Sequence, residues 1–284
     1  MNKTPVIDAH QHFWQRSLPF DYAWLKSPPL AAINRDFLPV DLDPLRRAAG
    51  VDATIFVQTQ HNTAENDWAL RLAEEYPWIV GVVGWVDLQS PACEEQLLRY
   101  RAHPKFVGAR HVVQDELDDN WIIRPAVLDG LRVFERHGVP YDLLFYAKHV
   151  HHAPAVARAV PGATLVIDHL SKPPIKSGAL EPWAMELHAA AAFENVHCKL
   201  SGMVTEADWT KWSIADLRPY FNVALEAFGP TRLLFGTDWP VCVLAADYAR
   251  VVSTTRELID ELSASEQAAI LGGNAARVYQ LKLG

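Results

Sequence analysis

The chain has 284 residues, half of them hydrophobic, which is enough for one large domain or two small ones. A net charge of -8 and a pI near 5.8 argue against nucleic acid or an anionic membrane as partner, and no apolar run is long enough to span a bilayer. The N-terminus shows no secretory signal. Three widely spaced cysteines favour free thiols, so we expect a cytoplasmic protein.

The first predicted strand carries two imidazoles. Val6 and Ile7 are β-branched and apolar, as a buried strand requires, and Asp8, His10 and His12 follow at alternate positions. Because side chains alternate between the two faces of a strand, the two histidines should share one face with Asp8 below them. Two neutral imidazoles close together are suited to binding a metal or to handling charge.

Eight short apolar runs predict the strands of a parallel sheet. From the second run onward, successive starts lie 23 to 37 residues apart, which leaves room for one strand and one crossover helix each. Asn62, with Glu65 three residues later, predicts a capping box at the start of the first such helix. The predicted strands are 6–10, 53–58, 80–86, 106–112, 141–145, 164–169, 196–201 and 233–238.

This pattern predicts an α/β fold, a single (β/α)8 TIM barrel that spans residues 1–284. A doubly wound open sheet is the alternative, but no glycine-rich phosphate turn follows the first strand. The stretch 11–40 is rich in proline and aromatic residues, and we expect it to lie over the mouth of the barrel as a wall or lid.

Polar residues gather where the predicted strands end, which is where the active site of such a barrel forms. Each of them alone could be structural: a histidine or aspartate can cap a turn, and an arginine can close a salt bridge. These candidate residues are His10, His12, Gln58, Arg110, His111, His169, Lys199, Asp238 and Trp239.

Barrel closure would bring several of these residues together. The last strand neighbours the first, so Asp238 should approach His10 and His12, and His169 should approach from two strands away. Three histidines and one carboxylate form a nitrogen and oxygen ligand set that suits zinc or a similar divalent ion.

The same residues resemble the amidohydrolase superfamily. The similarity rests on Asp8-Ala9-His10-Gln11-His12, on His169 after an apolar strand, on Asp238 within FGTDWP and on the closing GGNAARVY, and it extends over nearly the whole chain. The longer strings DAHQHFW, VGARHVVQDE, DHLSKPPI and CKLSGMVTEADW are similar to its sugar-lactonase branch, which includes L-fuconolactonases, L-rhamnonolactonases and, more distantly, 2-pyrone-4,6-dicarboxylate lactonases. The resemblance implies a barrel that opens a lactone with water.

The sequence departs from the two-metal pattern of that superfamily. Strand 4 offers Arg110, whose fixed charge cannot ligate a metal, where those relatives carry a carboxylated lysine or a glutamate. Lys199 stands where a further histidine is often found. We therefore expect at most one divalent ion, with zinc as the first candidate, and metal-free catalysis as the alternative.

The expected reaction is hydrolysis of an aldonolactone, with L-fuconolactone as the first candidate. Asp238 would act as the general base, while His10, His12 and His169 polarise the carbonyl, with or without the metal. A metal-dependent decarboxylase is the runner-up, and a non-catalytic binder of a sugar acid ranks third. Expected substrate contacts are Arg110, Lys199, Gln58, His111, Trp14 and Trp239, with Lys172 and Asp115 on loops that could reach in.

Overall fold

The structure is a computed structural model that describes residues 4–283. Within these residues, eight strands form one sheet in which each strand pairs in parallel with the next along the chain. Their order is β1 to β8, so every connection is a crossover to the neighbouring strand. The strands are β1 Ile7–Gln11, β2 Ala53–Val57, β3 Ile79–Gly84, β4 Phe106–Val112, β5 Tyr141–Leu144, β6 Leu165–Ile167, β7 Val196–Leu200 and β8 Leu233–Phe235.

Helices fill the connections between strands, which confirms the predicted (β/α)8 barrel and makes the open-sheet alternative wrong. No helix of residues 4–283 is both long and apolar enough to cross a membrane. The three cysteines are buried free thiols. The helices are α1 Pro39–Ala48, α2 Thr63–Glu75, α3 Cys93–Arg101, α4 Pro125–His137, α5 Ala153–Ala159, α6 Trp183–Ala191, α7 Met203–Glu206, α8 Ile214–Phe228, α9 Tyr248–Leu258, α10 Ala264–Ala268 and α11 Asn274–Val278.

The barrel closes between β1 and the segment that follows β8. The backbone N–H of Asp238 donates to the carbonyl of His10 at 2.8 Å, and the N–H of His12 donates to the carbonyl of Trp239 at 2.7 Å. Gln11 and Trp239 thereby form a parallel bridge. The predicted neighbourhood of the first and last strands is therefore confirmed, and it is the backbone around the histidines that makes the closure.

Asp8 supports this closure and does not join the histidines. The pairing of β1 with β2 shifts register between Asp8 and Gln11, so simple alternation along β1 is interrupted. The Asp8 carboxylate accepts hydrogen bonds from the backbone N–H of Thr237 at 2.9 Å, from its hydroxyl at 2.6 Å and from the hydroxyl of Tyr248 at 3.1 Å. Asp8 thus connects β1 to the turn after β8 and to α9.

The aromatic stretch after β1 forms a wall of the barrel mouth. It contains two short 3-10 helices, Ala23–Lys26 and Pro28–Ile33, and returns so that Trp14 and Phe37 pair in an antiparallel bridge. The Trp14 indole N–H donates to the carbonyl of Arg35 at 2.7 Å. Trp14 and Trp24, which meet edge to face, both line the cavity above the histidines that is described below.

Glu65 anchors the loop after β2. Asn62 caps α2 as predicted, through a 2.9 Å bond from the N–H of Ala64. The predicted capping box is wrong, because the Glu65 carboxylate instead accepts the N–H groups of Thr59 at 2.8 Å and Gln60 at 3.0 Å, and the hydroxyl of Thr59. Burial raises the pKa of Glu65 from 4.5 to about 7, despite these hydrogen bonds.

The raised pKa of Glu65 predicts a loss of stability as pH rises. The folded chain holds the proton of Glu65 more tightly than the unfolded chain does. The stabilisation that this proton gives is therefore fully present below pH 4.5 and is lost as pH rises through about 7. The corresponding change is about 3 kcal/mol in the free energy of unfolding. We expect Glu65→Gln to gain that much relative to the wild type between pH 4.5 and pH 8, measured by denaturant unfolding.

Glu75→Gln is the matched control, because Glu75 is exposed on the same helix. The difference between this variant and the wild type should stay constant across the same pH range. A constant difference for Glu65→Gln as well would contradict the assignment.

Candidate active site

Three imidazoles converge on one carboxylate oxygen at the carboxyl ends of the strands. The Nε2 atom of His12 lies 3.3 Å from Oδ1 of Asp238, and the Nε2 atoms of His10 and His169 each lie 3.9 Å from it. All four side chains are buried. The four residues predicted to meet at the mouth of the barrel are thus brought together.

Each imidazole is held through its other ring nitrogen. Nδ1 of His12 lies 2.7 Å from the carbonyl of Val57, and Nδ1 of His169 lies 2.8 Å from the hydroxyl of Ser201. Because the Val57 carbonyl can only accept, His12 carries its proton on Nδ1 and presents a lone pair on Nε2. This arrangement, in which a second group orients a ligating imidazole, is typical of metal-binding histidines.

His10 has the same tautomer. Nη1 of Arg110, which can only donate, lies 3.3 Å from Nε2 of His10, so that nitrogen carries a lone pair. The proton is then on Nδ1, where Oδ1 of Asp168 lies 3.2 Å away and can accept it, while Nζ of Lys199 lies 3.3 Å from the same nitrogen. His10 thus has two possible cationic partners at Nε2: the Arg110 guanidinium and a metal ion.

The pKa shifts agree with neutral imidazoles around a charged carboxylate. Burial lowers the pKa of His169 to about 4 and that of His10 well below its usual 6.5. Burial alone would raise the pKa of Asp238, but His169 and His12 outweigh it and hold that pKa below its ordinary value. At neutral pH the uncharged imidazoles of His10 and His169 therefore face an anionic oxygen.

This donor set fits a metal ion. In a tetrahedral site with bonds of about 2.0 to 2.1 Å, neighbouring ligand atoms lie about 3.3 Å apart. Nε2 of His12 is at this distance from Oδ1 of Asp238, and the Nε2 atoms of His10 and His169, at 3.9 Å, would move closer to that oxygen on binding an ion. Nε2 of His12 and Oδ1 of Asp238, 3.3 Å apart, need a proton or a metal ion between them, so a metal ion could replace a proton at this position. His10, His12, His169 and Asp238 could hold one divalent ion.

His169 lies in an unusual backbone segment. Four consecutive residues, His169, Leu170, Ser171 and Lys172, have left-handed φ angles between 51° and 58°. The N–H of Lys172 donates to the carbonyl of His169 at 2.7 Å, which closes one turn. Non-glycine residues adopt this conformation at a cost of about 1–2 kcal/mol each, and such strain is concentrated at functional sites. Because the turn has three residues, His169 and Lys172 project to the same side.

Two glycines leave room for the imidazoles. A Cβ atom on Gly202 would lie 2.8 Å from Cγ of His169, and one on Gly236 would lie 2.8 Å from Cβ of His10. Real Cβ contacts do not approach 3.0 Å, so both positions require glycine while the rings stay where they are.

Arg110 and Lys199 flank Asp168 from both sides. Nη1 of Arg110 lies 3.1 Å from Oδ2 of Asp168, and Nζ of Lys199 lies 3.0 Å from Oδ1. With both oxygens engaged by cations, Asp168 is unsuited to ligate a second metal. Arg110 also lines the cavity, as its predicted role in substrate binding requires.

Lys199 lies beneath the histidines, away from the cavity, contrary to the expectation that it holds the product anion. It is fully buried, pairs with Asp142 and Asp168, and comes within 3.3 Å of Nδ1 of His10. Asp142 in turn accepts the hydroxyl of Tyr279 at 2.8 Å. Lys199 therefore compensates buried carboxylates below the site.

Three more predicted substrate contacts also lie behind the cavity wall. Gln58 is buried and accepts hydrogen bonds from Nη2 of Arg110 through its carbonyl and its side chain. Trp239 is buried and packs edge to face against Phe37. The ring nitrogens of His111 are occupied by the Trp85 indole and Glu116. As substrate contacts these three are corrected: Gln58 orients Arg110, Trp239 packs the aromatic wall and His111 is structural.

A cavity of about 460 Å³ opens directly above the histidines and Asp238. This volume is within the range of small-molecule sites, about 300–1,000 Å³. Trp14 lines it as predicted, and Lys172 and Asp115 reach it. Residues that the sequence reasoning missed complete its wall: Trp24, Leu30, Gln114, Tyr146, Thr205, Glu206 and Trp209. They lie on loops and short helices, where hydrophobic periodicity does not indicate which way a side chain points.

A neighbouring cavity of about 570 Å³ shares Thr59, Val112 and Asp115 with the first but contains none of the converging histidines. His61, His111 and Glu116 cluster there. Because the Trp85 indole donates to Nδ1 of His111, the proton of that ring is on Nε2, facing Glu116. The cluster therefore lacks the lone pair that a metal would need from His111.

The comparisons with known proteins agree with this geometry. The Amidohydrolase family model matches residues 7–281. The chain belongs to the amidohydrolase family. This amidohydrolase is 38% identical over 281 residues to a Burkholderia ambifaria protein named L-fucono-1,5-lactonase, a match that covers 97% of this chain and 95% of that one. It is 39% identical to a protein of the same name from Burkholderia multivorans, with coverage of 97% and 96%.

A solved structure extends the comparison. A crystal structure of a Burkholderia multivorans amidohydrolase with bound zinc superimposes with a TM-score of 0.93 at 37% identity, and the match covers 98% of this chain and 100% of that one. The resemblance to the amidohydrolase superfamily and its sugar-lactonase branch is therefore confirmed.

The donor set predicts that the purified amidohydrolase binds one Zn²⁺ per chain. We expect His169→Asn to weaken this binding at least about 100-fold, because one of four ligands is lost. Calorimetric titration of chelator-treated protein measures both stoichiometry and affinity. His188→Asn, at an exposed helical position, should bind zinc as the wild type does. Unchanged affinity in His169→Asn would exclude this metal site.

Proposed function

We propose that this amidohydrolase hydrolyses a sugar lactone to the corresponding aldonic acid, with L-fucono-1,5-lactone as the first substrate to test. The observation that carries the proposal is the convergence of three Nε2 atoms on Asp238 at the floor of a cavity. The names of two relatives with 38–39% identity over nearly the full chain support lactone hydrolysis.

Asp238 is the proposed general base. Its Oδ1 atom faces the imidazoles, while no hydrogen-bond donor from residues 4–283 engages its other oxygen, Oδ2. Oδ2 takes the proton from the attacking water and returns it to the ring oxygen as the C–O bond breaks. A carboxylate with a lowered pKa is a weak base, so the reaction needs a nearby positive charge.

Two sources of positive charge meet this need. When bound by His10, His12, His169 and Asp238, a divalent metal such as zinc would polarise the lactone carbonyl and make a water molecule more acidic. Arg110 is a permanent cation at the edge of the same cavity, and it is aimed by Gln58 and Asp168. Its guanidinium stabilises the developing oxyanion and then holds the carboxylate product.

Lactone hydrolysis releases an acid, so a pH-indicator assay detects it directly. We expect Asp238→Asn to lower kcat/KM for L-fucono-1,5-lactone by at least about 1,000-fold, because the amide keeps the shape but cannot accept the proton. Asp260→Asn, at an exposed position, should retain wild-type activity. Full activity in Asp238→Asn would contradict the mechanism.

Two further assays on the same purified protein distinguish lactone hydrolysis from the two alternative functions, decarboxylation and non-catalytic binding. Release of carbon dioxide from an unsaturated or aromatic acid, in place of lactone hydrolysis, would identify a decarboxylase. Tight binding of an aldonic acid without turnover of any aldonolactone would identify a binding protein.

A further inference from the structure

Two charged side chains in the cavity have no ionic partner within 4.0 Å among residues 4–283. No carboxylate of these residues lies within 4.0 Å of the Lys172 ammonium, which stands 5.2 Å from the centroid of the Tyr146 ring. The Glu206 carboxylate receives no hydrogen bond from the described part of the chain and pairs with no cation there. Both side chains are only partly exposed.

The backbone places these two charges on neighbouring parts of the cavity wall. Lys172 ends the left-handed turn that begins at His169, directly after β6. Glu206 ends α7, directly after β7. Because β6 and β7 pair in parallel, their following segments emerge side by side above the histidines.

Leaving two opposite charges unpaired in a partly buried cavity is unfavourable unless a ligand satisfies them. Burial raises the pKa of Glu206, and the nearby Lys172 counteracts this shift. Gln114, on the part of the wall that follows β4, adds a buried side-chain oxygen that lacks a hydrogen-bond donor among the described residues.

We propose that Lys172 and Glu206 recognise adjacent hydroxyl groups on the lactone ring and thereby select polyhydroxylated lactones over unsubstituted ones. This inference rests on the proposed function and concerns the same site. Neither residue takes part in the bond-breaking step, which is assigned to Asp238 and Arg110.

The chemistry of the pair fits a vicinal diol. A carboxylate is an acceptor with two oxygens, an ammonium is a donor with three protons, and a hydroxyl can both donate and accept. Glu206 accepts the protons of neighbouring hydroxyls, while Lys172 donates to their oxygens. Tyr146 and Trp209 add aromatic surface in the same cavity for the apolar faces of the ring.

The test compares two six-membered lactones. L-fucono-1,5-lactone carries ring hydroxyls, and δ-valerolactone carries none. We expect Glu206→Gln and Lys172→Met each to lower kcat/KM for the hydroxylated lactone by about 10- to 100-fold, as is usual when a charged hydrogen-bond partner of a ligand is removed. For δ-valerolactone the change should stay within about 2-fold.

If turnover of δ-valerolactone is too slow to measure, its inhibition constant against L-fucono-1,5-lactone provides the same comparison. Glu226→Gln and Lys211→Met are the matched controls, because both residues are exposed and neither lines the cavity. An equal loss on both lactones would indicate a structural role, and no loss on either would exclude contact with the hydroxyls. Both results overturn the inference.

A binding measurement keeps this inference separate from the proposed function. Calorimetry compares L-fuconate with 5-hydroxypentanoate, the open forms of the two lactones. Preference for the hydroxylated acid in the wild type, lost in Glu206→Gln and Lys172→Met, supports the inference even if no lactone is hydrolysed. The same preference in the variants overturns it, whatever the catalytic result.

Discussion

The hydrogen bonds between β1 and the segment after β8 are the constraint on which both the barrel and the site depend. The carbonyl of His10 accepts the N–H of Asp238, and the N–H of His12 donates to Trp239. The residues whose backbones close the barrel therefore carry three of the four converging side chains. Asp8, fully buried, reinforces this closure through Thr237 and Tyr248. The site is accordingly a product of closure, and a barrel that opened at this position would separate the carboxylate from its imidazoles.

Below the hydrogen bonds that close the barrel, several buried charged side chains pair with one another. Asp168 lies between Arg110 and Lys199, and Lys199 also satisfies Asp142. Buried ion pairs seldom add stability, since desolvation offsets most of their attraction. Their effect here is geometric: they fix the tautomer of His10 and the direction of the Arg110 guanidinium. Several residues that do not line the cavity therefore determine how its imidazoles and its guanidinium are oriented.

The sequence predicted the parts of the structure that follow from repetition. The strand spacing located all eight strands, and the adjacency of the first and last strands brought Asp238 to His10 and His12. The position of a polar residue on a strand does not indicate which way its side chain points when its partners come from distant strands. For this reason four predicted substrate contacts lie outside the cavity: Lys199, Gln58, His111 and Trp239. The left-handed turn from His169 to Lys172 contains no glycine, so no residue type signals it. Glu206 lies on a short loop helix, where hydrophobic periodicity carries no information about direction.

Gly202 and Gly236 limit which substitutions related barrels can accept without moving the histidines. Gly202 lies against the ring of His169 and Gly236 against Cβ of His10, each so closely that one added methyl group would displace that histidine. A related chain could therefore lose the present arrangement of imidazoles and carboxylate through a single alanine at either position, while its eight strands, its aromatic wall and its cavity persist. Of two homologues that differ at these two positions, only the one with both glycines retains the spacing between the imidazoles and the carboxylate. The identity of these two residues distinguishes barrels that keep this arrangement from barrels that merely keep the fold.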